Sequence, residues 1–293
     1  HGFVSGVIFG HYRLGVTPYI IPDSVFDMLP GTFQMAPDTD VDVITLGWPE
    51  LSVKYLKDNE IIPKNYFSRL RFIWMAINAT ASQREIVEET WGVPYRLVGH
   101  SGDQYIPSFE CDHVYEMNGL EHHFPEDFFF VELLHPETRA PVKPGEIGEL
   151  CITNLWAQAT PYIRYRMEDI AMAMEDKCGC GRTHVRLKFK GRMAWSANVK
   201  GKQIFSDEVE NVLWRFPETT FQRLQLVRLK KQSQEKLLVR TSYSRVTDTQ
   251  RLARKLSSAL KSEFGVPADV ELVSEEEITT KGIKFEKCIV REG

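Results

Sequence analysis

Apolar runs and amphipathic stretches alternate through the first hundred residues. Ser82-Gln-Arg-Glu85 has the form of a capping box, which predicts a helix start, and Gly92-Val-Pro94 predicts its end. Residues 51–57 predict another helix. Alternating strands and helices are typical of a parallel sheet with helices on its faces. The predicted strands of this region are 16–21, 41–46 and 70–75.

The pattern changes between residues 124 and 175. Apolar segments at 128–134, 148–153 and 170–174 predict strands, and the segments between them contain Pro and Gly. This region therefore predicts a small antiparallel barrel or sheet beside the α/β part.

A third pattern begins near residue 200. A helix is predicted from Ser206, strands at 224–229 and 236–243, and a second helix from Asp248 to Gly265, followed by a strand at 270–273. The overall prediction is a large α/β domain with an antiparallel β-subdomain, residues 1–190. A small α+β C-terminal lid domain, residues 191–293, follows it.

Charge and composition narrow the function classes. The 293 residues include 36 Lys and Arg against 40 Asp and Glu. The chain therefore lacks the excess of basic residues that would indicate a nucleic-acid partner. No apolar stretch has the length of a membrane span, and no basic region precedes an apolar N-terminal segment. Five cysteines, an odd number, argue against a disulfide framework and predict a reducing compartment, the cytoplasm. A homodimer stays open.

Two arginines, a carboxylate and a Cys-x-Cys pair lie close together in Pro161-Tyr-Ile-Arg-Tyr-Arg-Met-Glu-Asp169, Cys178-Gly-Cys-Gly-Arg182 and Gly191-Arg192. Burying so much charge without partners is costly, which favours a site for an anionic ligand. The order of these motifs resembles the adenylate-forming ligases of the phenylacetate–coenzyme A ligase type. In that family a large domain binds ATP and the acid, and a small C-terminal domain swings over it.

The resemblance implies roles for three residues near the domain boundary. Asp169 would accept hydrogen bonds from both ribose hydroxyls of ATP, which suits the two oxygens of a carboxylate. Arg192 would contact the nucleotide. The sequence does not decide between Arg164 and Arg166 as a further nucleotide contact, and Arg166 is taken as the candidate. Ala194 stands where the family has a charged hinge residue.

The segment Val98-Gly-His-Ser-Gly-Asp103 occupies the place of the family's aromatic-Gly-x-Ser/Thr-Glu motif. The resemblance implies that Gly99 and Ser101 bind phosphate, and that Asp103 supplies an oxygen ligand to Mg²⁺. Val98 replaces the aromatic residue. The family's glycine- and serine-rich phosphate loop would lie before His1.

A catalytic lysine is implied near the C-terminus. Lys284 matches the family's lysine in a Lys-x-x-basic segment, and Lys281 is the fallback. Its charge would stabilise the anions that meet as the acyl-adenylate forms.

A Cys/His set resembles one found in many phenylacetate-ligase-like proteins. Cys111, His123, Cys178 and Cys180 would form a closed Cys₃His site, which is typical of structural Zn²⁺. The alternative is that these are ordinary buried thiols. His123 is preferred to His122 as the ligand, and Cys151 and Cys288 are predicted to be core residues.

The resemblance implies ATP- and Mg²⁺-dependent activation of a carboxylic acid, expected to be aromatic, followed by transfer to coenzyme A. Phe9, Tyr12 and Trp74 are candidate lining residues for the acid. Two alternatives stay open. One is an aryl-acid adenylating protein of an antibiotic pathway, for example of the phenazine type, with an amine or another non-CoA acceptor. The other is a non-catalytic nucleotide- or zinc-binding relic of the fold.

Overall fold

The computed structural model describes residues 41–46, 49–75, 79–101, 106–159, 161–230, 234–244, 248–278, 280–281 and 284–291. Two compact units are present. The first is His1–Met167 with Met172–Lys188, and the second is Glu168–Ala171 with Phe189–Gly293. The predicted strand 16–21 and the candidate residues Phe9, Tyr12 and Asp103 lie outside the described residues.

A nine-stranded sheet runs in the order β1-β2-β3-β4-β5-β9-β8-β7-β6. Its strands are β1 (Val43–Leu46), β2 (Phe72–Met75), β3 (Tyr95–Ser101), β4 (Ile106–Phe109), β5 (Glu121–His123), β6 (Phe129–Leu134), β7 (Ile147–Asn154), β8 (Tyr165–Ala173) and β9 (Arg186–Arg192).

The sheet changes from parallel to antiparallel at β3. Strands β1, β2 and β3 pair in parallel, whereas β3–β4, β4–β5, β5–β9 and β6–β7 pair antiparallel. The parallel part confirms the prediction. The strands predicted between residues 124 and 175 are present as β6, β7 and β8, and they continue this sheet on its antiparallel side. Pairing β4 along β3 satisfies backbone groups that an open sheet edge would leave unpaired.

Two helices accompany the parallel strands: α1 (Pro49–Asp58) and α2 (Ala81–Trp91). They pack together, and the Trp91 indole donates to Ser52 Oγ at 3.2 Å. The predicted capping box was placed two residues too late. Thr80 is the N-cap and exchanges hydrogen bonds with Gln83, since a Thr hydroxyl provides the same acceptor as Ser. Gly92 ends the helix in the left-handed conformation, as predicted.

The second unit is an α+β arrangement around a four-stranded sheet of order β14-β13-β12-β17. Its elements are β10 (Ser196–Val199), β11 (Lys202–Phe205), α4 (Ser206–Leu213), β12 (Leu224–Leu229), β13 (Leu237–Thr241), α5 (Thr249–Phe264), β14 (Ala268–Leu272), β15 (Thr280–Lys281), β16 (Lys284–Phe285) and β17 (Cys288–Arg291). A further short helix, α3 (Asp112–Glu116), belongs to the first unit.

Helix α5 shows why the sequence pattern of this unit predicted its structure. Asp248 accepts from the Arg251 N–H at 2.9 Å, and Gly265 closes the helix with a φ of 69°. Its apolar residues fall at helical spacing and pack against β14, in a core that also contains residues of β12, β13 and β17. Cys288 of β17 belongs to this core, and Cys151 of β7 is also buried, as predicted. The buried apolar face of α5 consists of Leu252, Leu256, Leu260 and Phe264.

Among the described helices, none is long and apolar enough to cross a lipid bilayer.

Candidate functional site

Four sulfur and nitrogen ligand atoms converge in the first unit. Cys111, His123, Cys178 and Cys180 each offer one ligand atom, and all four atoms lie within 4.8 Å of one another. The Sγ atoms of Cys111 and Cys178 are 3.6 Å apart, and Cys180 Sγ lies 3.6 Å from His123 Nε2. The structure therefore brings together the four residues predicted as a Cys₃His site.

Tight local backbone presents these ligands. Cys111 precedes α3, and its Sγ accepts from the Val114 N–H at 3.5 Å. Residues 178–181 form a turn in which Gly179 lies against the ring of His113. A Cβ on Gly179 would lie 2.6 Å from that ring, so a larger residue between the two thiols would require His113 to move.

The protonation of the ligands depends on their surroundings. Burial raises the pKa of the Cys111 thiol to about 11. Burial also raises the pKa of the Cys180 thiol. Hydrogen bonds from Arg182 outweigh this effect and lower the pKa to about 7. Burial lowers the pKa of His123, which favours the neutral ring that a metal binds. A bound cation would favour the thiolates, so this donor set fits Zn²⁺.

Two buried arginines form ion pairs beside the cluster. Arg84 of α2 donates to Glu110 at 2.6 Å, directly before Cys111. Arg186 of β9 pairs with Glu121 of β5 at 2.8 Å and with Asp176 at 2.6 Å. Burial raises the pKa of both Glu110 and Glu121, and the neighbouring arginines oppose that shift. These ion pairs link the segment before Cys111 to α2, and β9 to the strand β5 that carries His123.

Asp169 and Arg192 are partners in the second unit. The Arg192 Nε donates to Asp169 Oδ1 at 3.1 Å, and both side chains are partly exposed. Burial raises the pKa of Asp169, while the charge of Arg192 and its hydrogen bond oppose this shift. The arginine also lies over the ring of Trp195, 5.3 Å from its centre. The two residues implied as nucleotide contacts are thus adjacent.

The structure adds a lysine that sequence reasoning did not select. Lys287 donates to Asp207 at 2.8 Å, lies 3.6 Å from Glu210 and approaches the same Trp195 ring, 5.6 Å from its centre. Its only signal in the sequence was its place as the basic residue three positions after Lys284. Lys287, Asp207 and Trp195 thus surround the Asp169–Arg192 pair with further charge and an aromatic face.

The two arginines before Asp169 have carboxylate partners in the first unit. Arg166 makes two hydrogen bonds to Glu149, at 2.8 and 2.9 Å, and Arg164 makes two to Glu132, both 3.1 Å. Arg164 precedes β8 and has a φ of 49°, so the two arginines do not share a strand face. The nucleotide role of Arg166 stays a prediction.

The remaining candidates lie at the ends of described strands. Gly99 and Ser101 are in β3, where they pair with Ser108 and Ile106 of β4. Lys284 begins β16 and pairs with Lys281 across a hairpin. Trp74 is in β2 and partly buried. The backbone of these positions is described, whereas the side chains of Ser101, Lys281 and Lys284 lie outside the description.

Comparison with known proteins points to one group. Residues 201–291 match the AMP-binding enzyme C-terminal domain. A phenylacetate-coenzyme A ligase of Thermus thermophilus is 32% identical over 140 residues, which cover 47% of this chain and 31% of the relative. A phenylacetate-coenzyme A ligase of Escherichia coli is 29% identical over 156 residues, 51% of this chain and 35% of the relative. The chain thus spans about a third of the length of these curated relatives.

Solved structures share the fold. The 2-hydroxyisobutyryl-CoA ligase in its postadenylation state, in complex with R3-HIB-AMP, superposes with a TM-score of 0.77 at 19% identity. That superposition covers 99% of this chain and 63% of the ligase. A benzoate CoA ligase from Burkholderia xenovorans gives a TM-score of 0.63 at 16% identity, covering 90% of this chain and 53% of the ligase. At these identities the likeness shows the fold alone.

The domain match, the sequence relatives and the shared fold agree with the motif order around Asp169. Residues 201–291 are thus similar to the AMP-binding enzyme C-terminal domain, and about half of the chain is similar to phenylacetate-coenzyme A ligases.

Proposed function

We propose that this chain is part of an AMP-forming acid–thiol ligase, which activates a carboxylic acid with ATP and Mg²⁺ and transfers the acyl group to coenzyme A. The similarity of about half the chain to phenylacetate-coenzyme A ligases carries this proposal. The Asp169–Arg192 pair supports it, because a carboxylate and a guanidinium meet where the family's nucleotide contacts are expected.

Asp169 has capacity left for a ligand. A carboxylate offers about four lone-pair sites, and Arg192 Nε uses one of them on Oδ1. The remaining sites can accept two hydroxyl donors, as the ribose of a nucleotide presents. Arg192 would hold the carboxylate in place and bring positive charge to the nucleotide. Asp103, Ser101 and Gly99 would contribute the Mg²⁺ and phosphate contacts of the same reaction.

The Cys₃His cluster would hold a structural Zn²⁺. Four protein ligands leave no open coordination position, so the metal would link strands and loops and take no part in the reaction. The convergence of the four ligand atoms supports this assignment. We place the protein in the cytoplasm, where zinc–thiolate sites persist because disulfides are rare.

An aromatic acid is the proposed substrate class, because the sequence relatives are phenylacetate-coenzyme A ligases. Coenzyme A is the proposed acceptor on the same ground. An amine acceptor, as in an antibiotic pathway, keeps the first half-reaction and changes only the second.

Acid-dependent ATP–pyrophosphate exchange, measured on the protein expressed from its full reading frame, tests the proposal. A panel of aryl and fatty acids should give exchange with at least one aryl acid. Adding coenzyme A or an amine to the same reaction then separates the two acceptors. Absence of exchange with every acid, in a folded and zinc-loaded sample, would favour the non-catalytic relic.

Lys284→Ala should reduce exchange by about 10² to 10³-fold, the size expected when a charge that stabilises the reacting anions is removed. ATP binding, measured by calorimetry, should change by less than about threefold. Lys281→Ala is the matched control from the same hairpin and should retain exchange. If Lys281→Ala loses exchange and Lys284→Ala does not, the assignment moves to Lys281.

A further inference from the structure

Gly99 sits in an unusually close approach between strands. A Cβ at this position would lie 2.1 Å from Ser108 Oγ and 3.2 Å from the Nδ1 atom of His122. A side chain at this position would therefore require Ser108 to move. Glycine at this position allows the Ser108 hydroxyl and the His122 imidazole to pack against the backbone of β3.

His122 makes a specific hydrogen bond to that backbone. The Gly99 N–H donates to His122 Nδ1 at 3.2 Å, and Ser108 Oγ lies 3.1 Å from the same nitrogen. His122 reaches across β4 to do this, because it belongs to β5. One imidazole nitrogen thus ties three neighbouring strands together.

The His122 side chain is completely buried, and its Nδ1 atom is placed to accept the Gly99 N–H. A neutral ring with an unprotonated Nδ1 accepts from the Gly99 N–H and from the Ser108 hydroxyl. The charged groups near this face are Arg84 of α2, with its partner Glu110, and His123 of the same strand.

The bond lies close to the proposed phosphate contacts. Gly99 precedes Ser101, the last residue of β3, by two positions. A hydrogen bond to the Gly99 peptide therefore limits how far the end of β3 can shift or twist. A binding group contributes most when its backbone is held in the bound geometry before the ligand arrives.

We propose that His122 is a positioning residue for nucleotide binding: through the Gly99 peptide it holds the end of β3 in the geometry that receives the phosphates of ATP. This inference rests on the proposed function, since it assigns the end of β3 to the nucleotide. His122 touches no substrate and acts only through the Gly99 backbone and Ser108.

His122 and His123 divide two tasks on one strand. Their side chains leave β5 on opposite faces, as successive residues of a strand do. His123 turns toward the cysteines, and His122 turns toward Gly99. A defect at His122 should therefore leave the metal site loaded, which gives the test a readout independent of activity.

The experiment compares His122→Leu with His122→Asn in the full-length protein. Leucine fills the buried space without an acceptor, whereas the side-chain oxygen of asparagine can reach the region of Nδ1. ATP binding is measured by calorimetry, zinc content by elemental analysis and the melting temperature by calorimetric scanning. Thr219→Val is the control, because it removes a buried 2.7 Å hydrogen bond to the Leu213 carbonyl, far along the chain from β3.

His122→Leu should weaken ATP binding by about tenfold, and KM for ATP should rise more than KM for the acid, with zinc retained. His122→Asn should recover part of the affinity. Thr219→Val should lower the melting temperature and leave ATP binding unchanged. Hydrogen exchange of peptides spanning β3 should be faster in His122→Leu than in the control.

Unchanged ATP affinity in His122→Leu, with wild-type protein binding ATP, would overturn the inference and leave the proposed function standing. An equal rise of both KM values would also overturn it, since that pattern indicates a general loss of structure. If His122→Leu does not fold, the His122→Asn variant decides the matter. ATP affinity equal to wild type in that variant, together with faster hydrogen exchange of β3, would overturn the inference as well. Wild-type protein that binds no ATP would overturn the proposed function itself.

Discussion

The Cys₃His cluster and the Asp169–Arg192 pair are built on opposite principles. In the cluster four metal-ligating atoms converge on one another, and three of the four residues are buried. At the second site a carboxylate already has a cation, and Lys287 nearby already has Asp207. A metal ion would complete the first arrangement. A ligand at the second site would join side chains that already have partners of opposite charge, and both Asp169 and Arg192 are partly exposed.

This difference separates stability from binding. Removing a ligand from the cluster should affect the fold before it affects ATP. Removing a charge from the Asp169 site should affect ATP binding and leave the fold largely intact.

The largest effect is expected from Cys111→Ser. Loss of one of four ligands should abolish zinc retention, and the melting temperature should fall by about 10 °C or more, since about 4 kcal/mol corresponds to that shift in a protein of this size. Elemental analysis and scanning calorimetry measure both. Cys151→Ala is the control, because Cys151 is buried in β7 away from the four ligands; it should keep the metal. If the Cys111→Ser variant retains a full complement of zinc, the assignment of a closed Cys₃His site is wrong.

A smaller and more selective effect is expected from Asp169→Asn. A neutral amide accepts hydrogen bonds less strongly than a carboxylate, so nucleotide affinity should fall by about 30-fold, equivalent to about 2 kcal/mol. Zinc content and melting temperature should stay close to wild type. Asp269→Asn removes a carboxylate from an exposed pair with Lys236 and should leave affinity unchanged. Equal losses in the two variants would mean that Asp169 has no special role.

The smallest effect concerns pH. Burial raises the pKa of Asp169 above its usual 3.8, against the opposing charge of Arg192 and with Asp207 and Glu168 adding to the rise. A raised carboxyl pKa means that the charged form is lost at a higher pH than in an ordinary Asp. ATP affinity should therefore decline as pH falls toward that raised value, measured by calorimetry below pH 6. The decline should be weaker in Asp169→Asn, and an identical decline would assign it to another group.

Local chemistry made part of this structure predictable. Asp248, Gly265 and the helical spacing of leucines between them define α5 from sequence alone, because capping and periodicity are local signals. The cluster ligands were selected through family resemblance, since four residues spread over about seventy positions carry no local pattern. The fold then brought their atoms within 4.8 Å.

Other features depend on contacts that sequence does not encode locally. Thr80 and Ser82 both carry a hydroxyl that can cap a helix. Thr80 is the N-cap because α2 begins at Ala81. Arg166 faces Glu149, seventeen positions earlier, and such a partner is set by the register of neighbouring strands. The contact between His122 and Gly99 is likewise set by the order of the strands, since β3 and β5 lie on either side of β4.

The most direct test of the central claim is a single-turnover reaction of the full-length, zinc-loaded protein with ATP, Mg²⁺ and an aryl acid, analysed by mass spectrometry. The account predicts an acyl-adenylate formed together with an equal amount of pyrophosphate. Protein that binds ATP but forms no acyl-adenylate with any acid of the panel would contradict it.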